Sequence, residues 1–95
     1  MLFHIHMIDR PGGAALRAAT TDAHREFVGG HHASMYAGGP LVSDDGEQII
    51  GSIIVKDFPD RAAAEAFIAE EPYNKAGLFE SVTIRAYRPV VPPSP

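Results

Sequence analysis

The sequence predicts an α+β fold, a four-stranded antiparallel sheet with two helices on one face, in the order strand, helix, strand, strand, helix, strand. Three observations carry this. Four short apolar runs with strand character lie near the two ends and in the middle of the chain. Two segments with apolar residues at helical spacing separate the outer runs from the central pair. An Asp45-Gly46 turn signal joins the central pair into a hairpin. At 95 residues the chain suits one core, and 45% apolar with 21% charged residues is an ordinary globular balance.

Residues 2–8 form the first expected strand. Phe3, Ile5 and Met7 share one face, and Leu2, His4, His6 and Ile8 share the other, so two imidazoles sit side by side on an otherwise apolar surface. Pro11-Gly12-Gly13 breaks the strand. Residues 14–19 then suit a short helical turn, and Thr20-Thr21-Asp22 is the start signal for a helix running to His31 or His32. His24, Phe27, Val28 and His31 fall on its inward stripe. His31 and His32 are assigned to the helix end, where a cation meets a favourable dipole.

The second strand covers residues 34–42 and is bent at Gly38-Gly39-Pro40, which lacks the lysine and following helix of a phosphate loop. Residues 48–58 give the strongest strand, rich in isoleucine. Pro59 and Asp60 open the second helix, with Ala62, Ala63, Ala66 and Phe67 as its packing stripe, and Pro72 ends it. The fourth strand spans residues 81–87, with Val82, Ile84 and Ala86 alternating against Thr83, Arg85 and Tyr87. This order is the ferredoxin-like βαββαβ arrangement. A single domain is expected over residues 1–90, followed by a proline-rich tail at 91–95.

A formal net charge of −4 supplies no concentrated basic face, so a nucleic-acid partner is not expected. The absence of cysteine removes disulfides, thiolate catalysis and sulfur-ligated zinc. The opening residues are too short and polar a run for a signal peptide or membrane span, so the expected compartment is the cytoplasm. His4 and His6 make a histidine-x-histidine pair, but no third and fourth ligand stand at a fixed spacing. Neither a metal nor another cofactor is expected.

Asp9-Arg10-Pro11-Gly12, Leu16-Arg17, Ala23-His24, Gly39-Pro40-Leu41, Gly51-Ser52, Glu71-Pro72-Tyr73 and Ala76-Gly77-Leu78-Phe79 resemble, in order and spacing, the YciI-like proteins. The resemblance spans almost the whole chain. It implies a dimeric ferredoxin-like α/β barrel with a histidine and aspartate site, as in the related muconolactone-isomerase-like and dehydrochlorinase enzymes. Position by position, it puts the family histidine on His24, the acidic residue ending the first strand on Asp9, and the basic position on Arg17. Two departures are visible. Glu71-Pro72-Tyr73 stands where the family commonly has Asp-Pro-Tyr, and Thr21 and Asp22 stand where it often has Arg or Pro.

The resulting expectation is a cofactor-independent enzyme that moves a proton on a small organic molecule, anionic or derived from an aromatic, as an isomerase or lyase. An imidazole, with a free pKa near ~6.5, accepts and returns protons near neutral pH, which suits His24 as the acid/base. Asp9 is expected within hydrogen-bonding reach of it, directly or through one water. Arg17 either clamps an anion or pairs with Asp9 or Asp22. His4, His6, Glu71 and Tyr73 complete the expected binding surface, the two histidines on a sheet face that a homodimer would enclose. The rival expectation is a dimeric module that binds a small ligand or assists a neighbouring enzyme without turning anything over.

Overall fold

The protein is described here by a computed structural model covering residues 1–91; from residue 92 on, the expected tail lies outside the described residues. The elements are β1 (Leu2–Asp9), α1 (Ala14–Gly29), β2 (Met35–Val42), β3 (Ile49–Asp57), α2 (Arg61–Glu70), α3 (Pro72–Lys75) and β4 (Phe79–Tyr87), with a 3₁₀ turn at His32–Ser34. The four strands form one antiparallel sheet in the order β2-β3-β1-β4, the ferredoxin-like order. The β2–β3 hairpin forms as expected, its turn held by Asp45 Oδ1, which accepts from the Ser43 hydroxyl and the Glu47 N–H. Among the described residues no helix is long and apolar enough to cross a membrane.

Strand parity decides which side chains meet the helices. On β1, Phe3, Ile5 and Met7 are all buried and join a core with Ile54, Phe58, Ala64, Phe67, Ile68, Tyr73, Leu78 and Phe79. Ile5 and Leu78 are fully enclosed, at 0% exposure. His4 and His6 take the opposite face, beside Val55 and Ile53 of β3 and Arg85 and Thr83 of β4. Geometry requires glycine at Gly12 and Gly51, among other positions. Gly12 sits at φ +76°, the left-handed region, and a Cβ on Gly51 would collide with the Met7 carbonyl, so only glycine lets β3 lie against β1 there.

Helix α1 runs unbroken from Ala14, six residues before the expected start at Thr20. Alanine-rich sequence favours helix from the outset. Thr20 and Thr21 do not cap: their hydroxyls donate to the carbonyls of Leu16 and Arg17 at 2.8 Å each, one turn back inside the same helix. In α2 the Asp60 carboxylate caps the Ala63 N–H at 2.8 Å, as the start signal implied. The buried stripe is Ala64, Phe67 and Ile68, turned from the expected set, with Ala62 and Ala66 exposed. Pro72 does end α2, but it also opens α3, so the fold carries a third helix where two were expected. Strand β4 begins at Phe79, two residues earlier than expected.

Candidate active site

The odd-numbered face of β1 continues to its last residue, so Asp9 points the same way as Phe3, Ile5 and Met7 and carries a carboxylate into the core side of the sheet. A buried carboxylate needs a partner. Helix α1 supplies it: Arg17 Nε donates to Asp9 Oδ2 at 2.8 Å and Nη2 to Oδ1 at 2.9 Å, a two-pronged pair whose side chains are only 10% and 6% exposed. Nη2 also reaches the Ser52 hydroxyl on β3 at 3.1 Å. Burial pulls the Arg17 pKa down, but the hydrogen bond and charge of Asp9, aided by Tyr73, more than offset it, and the guanidinium is held above its usual value.

Residues Arg17, Thr21, His24 and Val28 descend one stripe of α1 at alternating steps of four and three. The Glu71-Pro72-Tyr73 segment docks against that stripe. Pro72 keeps the preceding residue extended, and Glu71 lies at φ −65°, ψ 126°, so that it caps α3. Its Oε2 accepts from the Asn74 N–H at 3.1 Å. Its Oε1 faces His24 Nδ1 at 2.6 Å, and the whole residue is 1% exposed. The carboxylate that meets His24 is therefore Glu71. No direct hydrogen bond joins His24 to Asp9, both of whose oxygens accept from Arg17.

Tyr73, one turn position further on, is buried at 3% exposure. The His24 ring stacks on it at 4.3 Å with 23° between planes, and the Arg17 guanidinium carbon lies 4.5 Å over the same ring. His24 and Arg17 are seven residues apart, about 10.5 Å along the helix, so the phenol ring slots between them. Its hydroxyl shares a 3.1 Å hydrogen bond with Thr21, the stripe residue midway. The imidazole is thus fixed by a carboxylate at Nδ1 and by an aromatic plane against its face. With Glu71 accepting, Nδ1 carries the proton and Nε2 is the nitrogen open to a bound molecule.

These groups line a cavity of about 530 Å³ between α1, β2 and β3, a size typical of small-molecule sites. Met7, Val28, Met35, Ile54 and Phe79 give it apolar walls; Arg17, His24, Ser52, Glu71 and Tyr73 give it polar ones. Four of the expected site residues, His24, Arg17, Glu71 and Tyr73, therefore come together. Asp9 stands behind Arg17, and His4 and His6 lie on the far side of the sheet, outside this cavity. His31 is also elsewhere: its ring packs on Phe27 and Phe67 at 5.3 and 4.9 Å, and burial, then the charge of Lys56, lowers its pKa. Arg25 lines the site without having been singled out by the sequence, and Thr21 and Ser52, read there only as a helix signal and as motif positions, line it too. Among the described residues no group of three or more His, Cys, Asp or Glu is placed to hold a metal ion.

The model of the YCII-related domain matches residues 1–88. The chain belongs to that family. Among solved structures, it resembles 5-chloro-2-hydroxyhydroquinone dehydrochlorinase (TftG) from Burkholderia phenoliruptrix, solved in complex with 2,5-dihydroxybenzoquinone, with a TM-score of 0.89 and 26% identity over 99% of this chain and 100% of that one. Two more distant likenesses, at TM-scores of 0.56 and 0.53, speak for the fold alone. One is a protein from Bacteroides thetaiotaomicron that carries the name of an antibiotic biosynthesis monooxygenase, 14% identical over 95% and 89% of the two chains. The other is a protein from Pseudomonas aeruginosa, 18% identical over 94% and 93%. No curated protein matches the sequence. The likeness to the dehydrochlorinase supports an enzyme that acts on a small molecule.

Proposed function

We propose that this YCII-related protein is a cofactor-independent lyase or isomerase of hydroxylated six-membered rings, with His24 as its acid/base and Glu71 as the carboxylate that orients it. The observation that carries this is the 2.6 Å contact of His24 Nδ1 with the buried Glu71, beside a largely apolar cavity. The ring class is drawn from the quinone bound by the related dehydrochlorinase. In such a step Nε2 takes a proton from a ring hydroxyl or an acidified C–H. The electron pair left behind becomes a π bond, and a leaving group departs with its own bonding pair or a second carbon is protonated. The resulting imidazolium is stabilised by Glu71 and gives its proton up to solvent or product. Arg17 and Asp9 act on this indirectly, by holding Tyr73 against His24.

The test is turnover of chlorinated and unchlorinated hydroxyhydroquinones. Wild type should release chloride or a rearranged product, and His24→Gln should lower kcat by about 10²–10⁴-fold with its fold intact. A well-folded His24→Gln protein with full turnover would sink the reading; binding without any turnover by wild type would favour the non-catalytic module.

We further propose that the chain works as a homodimer joined through the face bearing His4 and His6. That face also presents Ile53 and Tyr87, with Val55 buried beside them and no helix over it. Light scattering after size exclusion should give twice the chain mass. An Ile53→Glu variant should run as a monomer, and a monomeric wild type would overturn the proposal.

A further inference from the structure

The cation expected to bind an anionic substrate was Arg17, but its guanidinium already donates to both Asp9 oxygens and to Ser52. A second arginine lines the same cavity. Arg25 follows His24 on α1, is exposed, and among the described residues makes no hydrogen bond or ion pair. Its acidic neighbours on the helix, Asp22 and Glu26, are not paired with it. Glu71 is the one carboxylate among the described lining residues, and its two oxygens are occupied by His24 and the Asn74 N–H. Arg17 is neutralised by Asp9 and Glu71 is engaged by His24 and Asn74, so Arg25 is the arginine of this lining that is left without a counter-ion among the described residues. An arginine without a counter-ion beside apolar walls suits a flat, anionic molecule.

We propose that Arg25 binds an ionised ring oxygen of the substrate, so that the enzyme selects acidic hydroxyquinones and phenols in their anionic form. This rests on the site reading above and adds its specificity. The ring lies against the apolar wall of Val28, Met35 and Ile54. One oxygen or C–H meets His24 Nε2, and an ionised oxygen takes a charge-assisted hydrogen bond from the Arg25 guanidinium. Arg17 keeps its structural pair throughout.

Titration calorimetry at neutral pH and low salt separates the possibilities, using 2,5-dihydroxybenzoquinone, which is ionised there, and its neutral dimethyl ether. Wild type should prefer the ionised ring by about tenfold or more, the worth of one charge-assisted hydrogen bond. Arg25→Gln should lose that preference while binding the ether as wild type does, and Arg25→Lys should recover part of it. His24→Gln should keep the preference, since its defect is in turnover. If Arg25→Gln retains the preference, the assignment is overturned and the His24 site stands. If wild type binds neither ring, the substrate class is overturned together with the proposed function.

Discussion

Glu71→Gln should lower kcat on a ring substrate by about 10²–10⁴-fold while leaving the melting temperature close to that of wild type. The reasoning follows from what the amide can and cannot reproduce. Glutamine fills the same volume, and its carbonyl oxygen can still cap α3 by accepting from the Asn74 N–H. The other arm then presents NH₂ to His24 Nδ1. A donor facing Nδ1 forces the proton onto Nε2, which is the wrong tautomer for a base that must accept a proton there, and it offers no charge to stabilise the imidazolium. Substrate affinity should change little, so the loss falls on kcat rather than KM. Glu71→Asp is the informative companion. A shorter side chain cannot keep both the cap and the 2.6 Å contact, so partial activity is expected. Should Glu71→Gln turn over at the wild-type rate, the carboxylate is a helix cap and nothing more.

The order of elements and the sheet topology were legible because they depend on periodicity and turns, signals that local sequence carries directly. The start of α1 was not. Thr20-Thr21-Asp22 looks like a cap in one dimension, and only the helix geometry shows both hydroxyls turned back onto carbonyls of the preceding turn. Pro72 shows the same ambiguity: the feature that ends one helix is the one that starts the next, and a four-residue helix has too little pattern to announce itself. In the site, His24 could be picked out from its stripe and from the family pattern, whereas its partner could not be. Asp9 and Glu71 are both plausible carboxylates by chemistry. What separates them is which one Arg17 has already claimed, and that depends on β1 parity meeting an α1 stripe across the fold. Parity could have given more than it did: Asp9 continues the series of Phe3, Ile5 and Met7, so its inward direction was readable, and with it the need for a buried cation.

Asp9→Ala should destabilise the protein by about 3–5 kcal/mol, because it leaves Arg17 buried without its counter-ion. For a chain of this size that corresponds to a fall in melting temperature of roughly 12–40 °C. The side chains of both partners are almost wholly removed from water, so solvent cannot replace what Asp9 supplies. The arginine cannot relax by losing its proton either, since its charge persists at any pH the fold survives. Pairing Asp9→Ala with Arg17→Met should recover more than half of the loss, as the methionine stem keeps the contact with Tyr73 while removing the uncompensated charge. The same pair distinguishes a positioning role from a catalytic one. If Asp9 serves only to hold Arg17, and through it Tyr73 and the His24 ring, the folded fraction of Asp9→Ala keeps the pH profile of wild-type turnover and its losses track stability. Were Asp9 instead the group that tunes His24, turnover per folded molecule would fall and its pH dependence would move. A double-mutant cycle of melting and turnover over both positions reads these outcomes apart, with a large coupling in stability and none in the shape of the pH profile as the expected result.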